Sequence, residues 1–299
     1  MTHGRSGSGK RCSLTRELYG RVPVNRAIDV LHLGRDRVIC VYLVGDVIVD
    51  PGPGSCLETL IDRLGATVPR ALLLTHIHLD HSGSAGELCR RFPKLVVYVH
   101  ENGAPHLVDP SKVIASATRL YGDDMDELWG AVKPVPEERV RPLSGGEHVE
   151  GFRVEYTPGH ASHHVSYLHE ESGDAYVGDM AGVRIPPYEH TVAPTPPPDV
   201  DVEAWLDSLH KIACWNPQSL CLTHFGQVTD VAEQLHRVRC SLTDAADSAR
   251  LDGEERFIAR LEDELSGTTD LATVEAYEQA APPNQQYQGL ERYWRKRAG

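Results

Sequence analysis

The chain has 299 residues, of which 40% are hydrophobic, and its formal net charge is −13. This composition is typical of a globular protein with a substantial core, whereas the acidic charge disfavours nucleic acid as a partner. No apolar run reaches the ~18 residues that a membrane span requires, and the N-terminal segment lacks the apolar stretch of a secretory signal. We therefore expect a cytoplasmic protein with neither nucleic acid nor membrane as a partner.

The first part of the chain alternates strand and helix patterns. A Gly/Ser-rich segment, residues 1–20, is expected to be a flexible leader before a main domain over residues 21–228. Apolar runs predict strands at 37–44, 46–50, 71–75 and 95–100, and helical periodicity predicts helices at 55–65 and 84–92. Ser55 is the predicted cap of the first helix, and Gly65 its end. This alternation indicates a sheet covered by helices.

The rest of the chain adds further strands and then helices alone. A helical insertion is predicted from about residue 105 to 130, and residues 229–299 are predicted to form a helical extension. Between them we expect strands at 152–159, 163–170, 174–179 and 219–226, and a helix at 202–214. Residues 184–199 contain six prolines, too many for a helix or a central strand, so this segment is expected to be a stiff loop.

Seven histidine and aspartate side chains follow apolar strands, each next to a glycine or a small-residue turn. They are His76, His78, Asp80 and His81 in THIHLDHSG (75–83), His160 in TPGH, Asp179 in GD, and His224 in THFG. Because strand ends at one edge of a sheet converge, we expect these side chains in one site. Burying such a cluster is costly unless cations hold it together. Imidazole and carboxylate ligands favour zinc, with iron or manganese as alternatives. The sequence therefore predicts a site for two divalent ions.

In this order, the four motifs resemble the metallo-β-lactamase fold superfamily, and within it the glyoxalase-II-like hydrolase branch. The resemblance covers residues 25–230 and implies a mixed α/β fold, an αββα four-layer sandwich with the metal ions at one edge of two packed sheets. The ligand sets that it implies are His76, His78 and His160 for one ion, Asp80, His81 and His224 for the other, and Asp179 as the bridge.

The resemblance also implies a reaction. Two zinc ions that share a water lower its pKa, so that a hydroxide forms near neutral pH and attacks an ester, thioester or lactone of a small-molecule substrate. Asp80 would orient this hydroxide, which makes it the predicted catalytic residue as well as a ligand. Asp50, at the end of a strand, and His164, in TPGHASHH, are candidates for holding the ligating imidazoles in place.

Substrate contacts are expected from the proline-rich loop, because it follows the bridging aspartate. The candidates in this loop are Arg184, Tyr188 and His190. The helical insertion and the C-terminal helices would shape the pocket, and the C-terminal helices are also candidates for a homodimer interface. The sequence does not identify the substrate. Lactonases of the superfamily have a Tyr where this chain has Gly182. The Arg and Lys residues that bind glutathione in glyoxalase II have no clear counterparts here.

Two other activities compete with the hydrolase. Persulfide dioxygenases share the loop motif but bind a single iron through residues that match His76, His160 and Asp179, and metal analysis separates the two cases. A phosphodiesterase or nuclease of the same fold is disfavoured by the acidic charge. An antibiotic-hydrolysing role is disfavoured because the main zinc class of β-lactamases has a Cys at the position of Asp179.

Overall fold

The computed structural model describes residues 25–266 and 270–298, so the predicted leader, residues 1–20, lies outside the described residues. The described strands form two six-stranded sheets, and in each sheet the strands follow chain order. The first sheet contains β1 (Asn25–Asp29), β2 (Cys40–Val44), β3 (Val47–Val49), β4 (Ala71–Leu73), β5 (Val96–His100) and β6 (Val140–Leu143). Strands β1 to β3 pair antiparallel, and β3 to β6 pair parallel.

The second sheet is formed by the strands that follow β6 in the chain. It contains β7 (His148–Val149), β8 (Phe152–Tyr156), β9 (Val165–His169), β10 (Asp174–Gly178), β11 (Ser219–Leu222) and β12 (Gly226–Val228). Its pairs are antiparallel except β10 and β11, which are parallel because the chain crosses over between them through a helix, Val202–Cys214.

The first seven helices lie between strands in the chain, and the last four follow the final strand. In chain order they are α1 (Leu57–Leu64), α2 (Leu79–Ser82), α3 (Ala85–Arg91), α4 (Ala104–Val108), α5 (Ser111–Tyr121), α6 (Met125–Trp129), α7 (Val202–Cys214), α8 (Val231–Leu251), α9 (Glu254–Ser266), α10 (Leu271–Ala280) and α11 (Pro283–Ala298). Short 3-10 turns occur at His32–Gly34, Gly54–Cys56, Gly122–Asp124 and Glu137–Arg139. None of these described helices has both the length and the apolar character needed to cross a membrane.

Three apolar layers hold the sheets and helices together. Aromatic side chains fill the space between the two sheets, chiefly Tyr42, Phe152, Tyr167 and Tyr176. On the outer face of the first sheet, Leu72 packs in one cluster with Leu60 of α1 and Leu88 of α3. On the outer face of the second sheet, Leu220 shares a cluster with side chains of α7, α8, α9 and α11. Because both faces of each sheet are covered, the strands are almost continuously apolar. The predicted αββα sandwich with C-terminal helices is confirmed.

Two local features differ from the sequence prediction. The residue before α1 is Cys56, and no side chain caps this helix, so the predicted cap at Ser55 is wrong. The hydroxyl of Ser55 instead donates to the carbonyl of Leu128 at 2.7 Å, which ties the start of α1 to α6 of the helical insertion. Gly65 does end α1, with a φ of 61° and its N–H on Ile61. The homodimer through the C-terminal helices stays a prediction.

Gly159, directly before the predicted ligand His160, lies against the backbone of α7. Its φ is +141°, and a Cβ at this position would be 2.3 Å from the Cα of Trp205. We expect Gly159→Ala to lower the free energy of unfolding by about 1–3 kcal/mol more than Gly146→Ala, because the helix would have to move. Gly146 is the matched control, since its φ is +92° but nothing lies within 4 Å of its Cβ position. Urea unfolding measures the free energy of unfolding of both variants. Equal losses in the two variants would contradict the close approach of Gly159 to α7.

Candidate metal centre

The predicted ligands reach one edge of the sandwich because each follows a strand. After β4 the chain is extended through His78, and the single helical turn of α2 then begins at Leu79. In an extended stretch, the two-residue spacing of His76, His78 and Asp80 would place all three side chains on one side. In the structure the helical turn instead carries Asp80 and His81 away from the two preceding histidines, into a second group.

The seven predicted ligands form two neighbouring groups. Within each group the ligating atoms lie within 4.8 Å of one another. The first group is His76, His78, His160 and Asp179, and the second is Asp80, His81 and His224. This arrangement is the one that the predicted ligand sets require, and the ligation itself stays a prediction.

Asp179 faces both groups. Its Oδ2 is 3.1 Å from Nε2 of His160, while its Oδ1 is 3.2 Å from Nε2 of His81 and 3.5 Å from Nε2 of His224. A single carboxylate therefore presents one oxygen to each group. This geometry is the one expected of a residue that bridges two ions.

Hydrogen bonds on the far side of the rings determine which nitrogen faces each group. Nδ1 of His160 is 2.9 Å from the carbonyl of Pro194, and Nδ1 of His224 is 2.6 Å from the carbonyl of Val38. A carbonyl oxygen can only accept, so Nδ1 carries the hydrogen in both rings. In the neutral form of each ring, the lone pair of Nε2 is then directed into the site, as a metal ligand needs.

Asp50 orients one imidazole in each group. This buried carboxylate accepts a hydrogen bond from Nδ1 of His81 at 2.8 Å. It also accepts from the hydroxyl of Thr75 at 2.7 Å, and that hydroxyl in turn lies 3.1 Å from Nδ1 of His76. Because the Thr75 hydroxyl donates its hydrogen to Asp50, the hydroxyl oxygen accepts a hydrogen bond from Nδ1 of His76. The sequence singled out Asp50 for such a contact but not the relay through Thr75, which depends on two strands meeting.

His164 contacts a predicted ligand through its ring. It stacks on His76 with ring centroids 5.1 Å apart and an interplanar angle of 28°. Its Nδ1 lies 3.0 Å from the hydroxyl of Thr157, which fixes the ring from the other side. The structure thus places His164 next to the first group, where it packs against a ligand instead of hydrogen bonding to one.

The two groups differ in their protonation. Burial lowers the pKa of His78 to about 4, and burial together with neighbouring histidines lowers that of His76 well below its usual value. For His81, burial lowers the pKa but the carboxylates of Asp179 and Asp80 raise it more, so it lies well above the usual value. The three histidines of the first group therefore favour the neutral form, which offers a nitrogen lone pair, beside the carboxylate of Asp179. In the second group His81 favours the protonated form beside carboxylates, and a bound cation would displace that proton.

Several atoms of the site lack a hydrogen-bond partner within the described chain. They are Nε2 of His81, Nε2 of His224 and Oδ1 of Asp179, all buried. Buried polar atoms are rarely left without a partner, and these three face one another across 3.2–3.5 Å. A divalent cation between them would satisfy all three atoms. The donor set of imidazoles and carboxylates, without thiolate, fits zinc and also iron.

A cavity of about 480 Å³ opens onto the predicted ligands His78, Asp80 and Asp179. Its other walls come from the helical insertion, from the turn between α10 and α11, and from the prolines at 194 and 196–198. The sequence alone does not single out these wall residues. The apolar positions 113, 117 and 120 of α5 follow helical spacing, and this was the one pattern that could have indicated them.

The three predicted substrate contacts lie apart from this cavity, and a role in substrate binding stays a prediction. Arg184 donates to Asp230 at 2.8 Å, just before α8, and the hydroxyl of Tyr188 lies 3.4 Å from Asp270, just before α10. His190 borders a separate open surface pocket together with Tyr188. None of the three is among the residues that line the cavity over the metal centre. These side chains contact the C-terminal helices and the residues just before them, and within the loop only residues 194–199 line the cavity.

Comparison with known proteins agrees with this architecture. The family model of the metallo-beta-lactamase superfamily matches residues 35–213. The metallo-beta-lactamase fold-containing protein ST1585 of Sulfurisphaera tokodaii is 29% identical over 199 residues, which are 64% of this chain and 72% of that protein. The probable metallo-hydrolase YqgX of Bacillus subtilis is 30% identical over 198 residues, which are 64% of this chain and 85% of that protein.

Solved structures are similar over the same region and beyond it. The crystal structure of ST1585 superposes with a TM-score of 0.67 at 23% identity, and the match covers 89% of this chain and 97% of that one. This likeness shows the fold alone. The crystal structure of TTHA1623 in a di-iron-bound form superposes with a TM-score of 0.54 at 27% identity, covering 67% of this chain and 93% of that one.

Proposed function

The chain belongs to the metallo-beta-lactamase superfamily, and on that premise we propose that it is a metal-dependent hydrolase of a small-molecule ester, thioester or lactone. The observation that carries the proposal is the carboxylate of Asp179, which presents one oxygen to each of two groups of ligands. The chain is also similar to a relative named as a probable metallo-hydrolase. Two zinc ions per chain suit the donor set best, with iron as the alternative.

The first group would hold one ion and the second group the other. When bound, such ions polarise a carbonyl group and make a water molecule acidic enough to react at neutral pH. Asp80 belongs to the second group, with its Oδ2 3.3 Å from Nε2 of His224, yet its side chain is 20% exposed and lines the cavity. In this proposal Asp80 accepts a hydrogen bond from a water beside the substrate and orients that water, and its contact with the cavity supports this role. Asp50 and Thr75 keep the imidazoles of His81 and His76 in position.

The number of bound ions separates this function from that of a persulfide dioxygenase, which shares the loop motif. A single iron would use only the residues that match His76, His160 and Asp179. It would leave the second group, Asp80, His81 and His224, without a metal ion. Two ions, in contrast, use all seven side chains.

Metal content and substrate class test the proposal together. We expect the purified protein to contain about two divalent ions per chain, mainly zinc, and to cleave at least one compound in a panel of esters, thioesters and lactones. Chelation should abolish this activity and zinc should restore it. His76→Ala should lower both the metal content and the melting temperature, because bound metal stabilises the folded state.

Two outcomes would contradict the proposal. One is a single tightly bound iron with oxygen consumption on a persulfide, which would identify a dioxygenase. The other is cleavage of phosphodiesters alone, which would identify a nuclease. Elemental analysis and an oxygen electrode distinguish the first outcome, and the same substrate panel with a phosphodiester added distinguishes the second.

A further inference from the structure

We infer that the substrate carries an extended, uncharged apolar chain on its ester, thioester or lactone group, and that the cavity over the metal centre binds this chain. The inference rests on the proposed hydrolase function and specifies its substrate class. The cavity is continuous with the metal centre, because the same surface includes His78, Asp80 and Asp179. Its volume of about 480 Å³ is in the range of small-molecule sites.

The wall of this cavity is mainly apolar, and three separate parts of the chain form it. The helical insertion contributes Val113, Ala117 and Leu120 of α5 and Trp129 of α6. The other two parts are the turn from α10 to α11, Ala280 to Pro282, and the proline-rich segment. Elements far apart in sequence thus enclose one apolar space, and burial of an apolar ligand there is favourable.

Several polar side chains in the wall bind one another. Nε2 of His32 is 2.8 Å from the carbonyl of Leu128, and its Nδ1 is 2.8 Å from Nε2 of Gln279. The hydroxyl of Tyr121 donates to Oε1 of Gln285 at 3.2 Å. A ligand has little to gain from bringing polar groups to these side chains, since they already have partners. Two lining residues differ, because Nδ1 of His163 and Oε1 of Gln286 are buried without a partner in the described chain.

The charge of the wall disfavours an anionic ligand. Among the lining residues of the described chain, Lys112 is the one lysine or arginine, and Asp199 is the one acidic residue apart from the predicted metal ligands Asp80 and Asp179. The carboxyl group of Asp199 already accepts from Ser162 at 2.6 Å. Away from the metal centre the wall therefore has no cluster of cations to bind a phosphorylated or carboxylate-bearing chain. An uncharged chain needs no such cluster.

The dependence of kcat/KM on the length of the substrate's apolar chain tests this inference directly. Two series of esters are used with the metal-loaded protein: straight acyl chains on one fixed alcohol, and straight alcohols on acetate. In at least one series we expect kcat/KM to rise about fourfold per added methylene until the cavity is full. A flat profile in both series, or a preference for charged substrates, would overturn the inference while leaving the hydrolase proposal in place.

A substitution in the wall should change this length dependence without changing the chemistry. Ala117→Phe fills part of the cavity, so kcat/KM for the longest chains should fall by about tenfold or more, while acetate esters change little. Ala115→Phe is the matched control, since Ala115 lies on the exposed side of the same helix and outside the cavity. If Ala117→Phe fails to fold, Ala280→Phe fills the cavity from α10 instead.

Binding of uncleavable ligands separates the two proposals. Methyl ketones of increasing length carry a carbonyl but no leaving group, and calorimetry measures their affinity for the metal-loaded protein. We expect the affinity to rise about fourfold per methylene in the unsubstituted protein and in Ala115→Phe, but not in Ala117→Phe. Length-dependent ketone binding without turnover of any ester, thioester or lactone would contradict the hydrolase proposal and still support the apolar chain. Binding that does not depend on length would overturn the inference.

Discussion

Asp80→Asn should lower turnover by about 10²-fold or more on whichever ester, thioester or lactone the protein cleaves, because that is the usual effect of losing one catalytic group. The substitution keeps the shape of the side chain but removes a negative charge and weakens the acceptor that faces the cavity. The first group contains no atom of Asp80, so at least one ion should remain bound. Single-turnover kinetics together with elemental analysis of the same sample measure both effects.

Asp174→Asn is the matched control for this loss of charge. Asp174 is buried at the start of β10 and is absent from both groups of predicted ligands. Its carboxyl group accepts hydrogen bonds from Ser219 at 2.6 Å and from Gln227 at 3.0 Å. We expect this variant to change stability but not the turnover of the folded protein. Near-normal turnover in fully metallated Asp80→Asn would mean that another group orients the water.

Asp50→Ala should lower the free energy of unfolding by about 3–5 kcal/mol, the scale expected when one partner of a buried charged pair is removed. The carboxylate accepts from the backbone and hydroxyl of Thr75, from His81, and from Thr223 at 3.3 Å. All of these donors would be left buried without it. The metal affinity of the second group should also fall by about 10- to 100-fold, because His81 loses the contact that orients it.

Unfolding by urea in the presence of a chelator isolates the first effect from metal binding. Asp46→Ala is the control, since Asp46 lies in the same hairpin but its side chain is 48% exposed and pairs with Arg70 at the surface. That variant should lose less than about 1 kcal/mol. If Asp50→Ala were as stable as Asp46→Ala, the carboxylate would not be the centre of the hydrogen-bond network described above.

The resemblance to known metal sites allowed the ligands to be predicted because their positions are local in the sequence. His76 and His78 directly follow a strand whose apolar residues identify it, and Asp179 and His224 do the same on two other strands. Convergence at a sheet edge then follows from strand pairing, without knowledge of side-chain contacts. Asp50 could be singled out for the same reason, because it ends β3 beside β4.

Side-chain direction in loops could not be predicted in this way. Arg184, Tyr188 and His190 were expected at the substrate because their loop follows Asp179. Their actual partners include Asp230 and Asp270, which precede helices of the C-terminal extension. Which way a loop side chain points depends on what packs against the loop, and here that is a part of the chain at least forty residues away.

By itself, the sequence determined a sheet covered by helices, because apolar strand patterns and the residues at their ends are properties of short segments. Its resemblance to the metallo-beta-lactamase superfamily implied the αββα sandwich. The tertiary structure alone decided that the hydroxyl of Thr75 links Asp50 to His76, and that the helical turn at Asp80 separates two groups of predicted ligands. It also decided that α5, α6 and the turn before α11 enclose an apolar cavity over the site. Each helix shows an apolar face in the sequence, but what that face covers is determined by packing between segments that lie up to 170 residues apart.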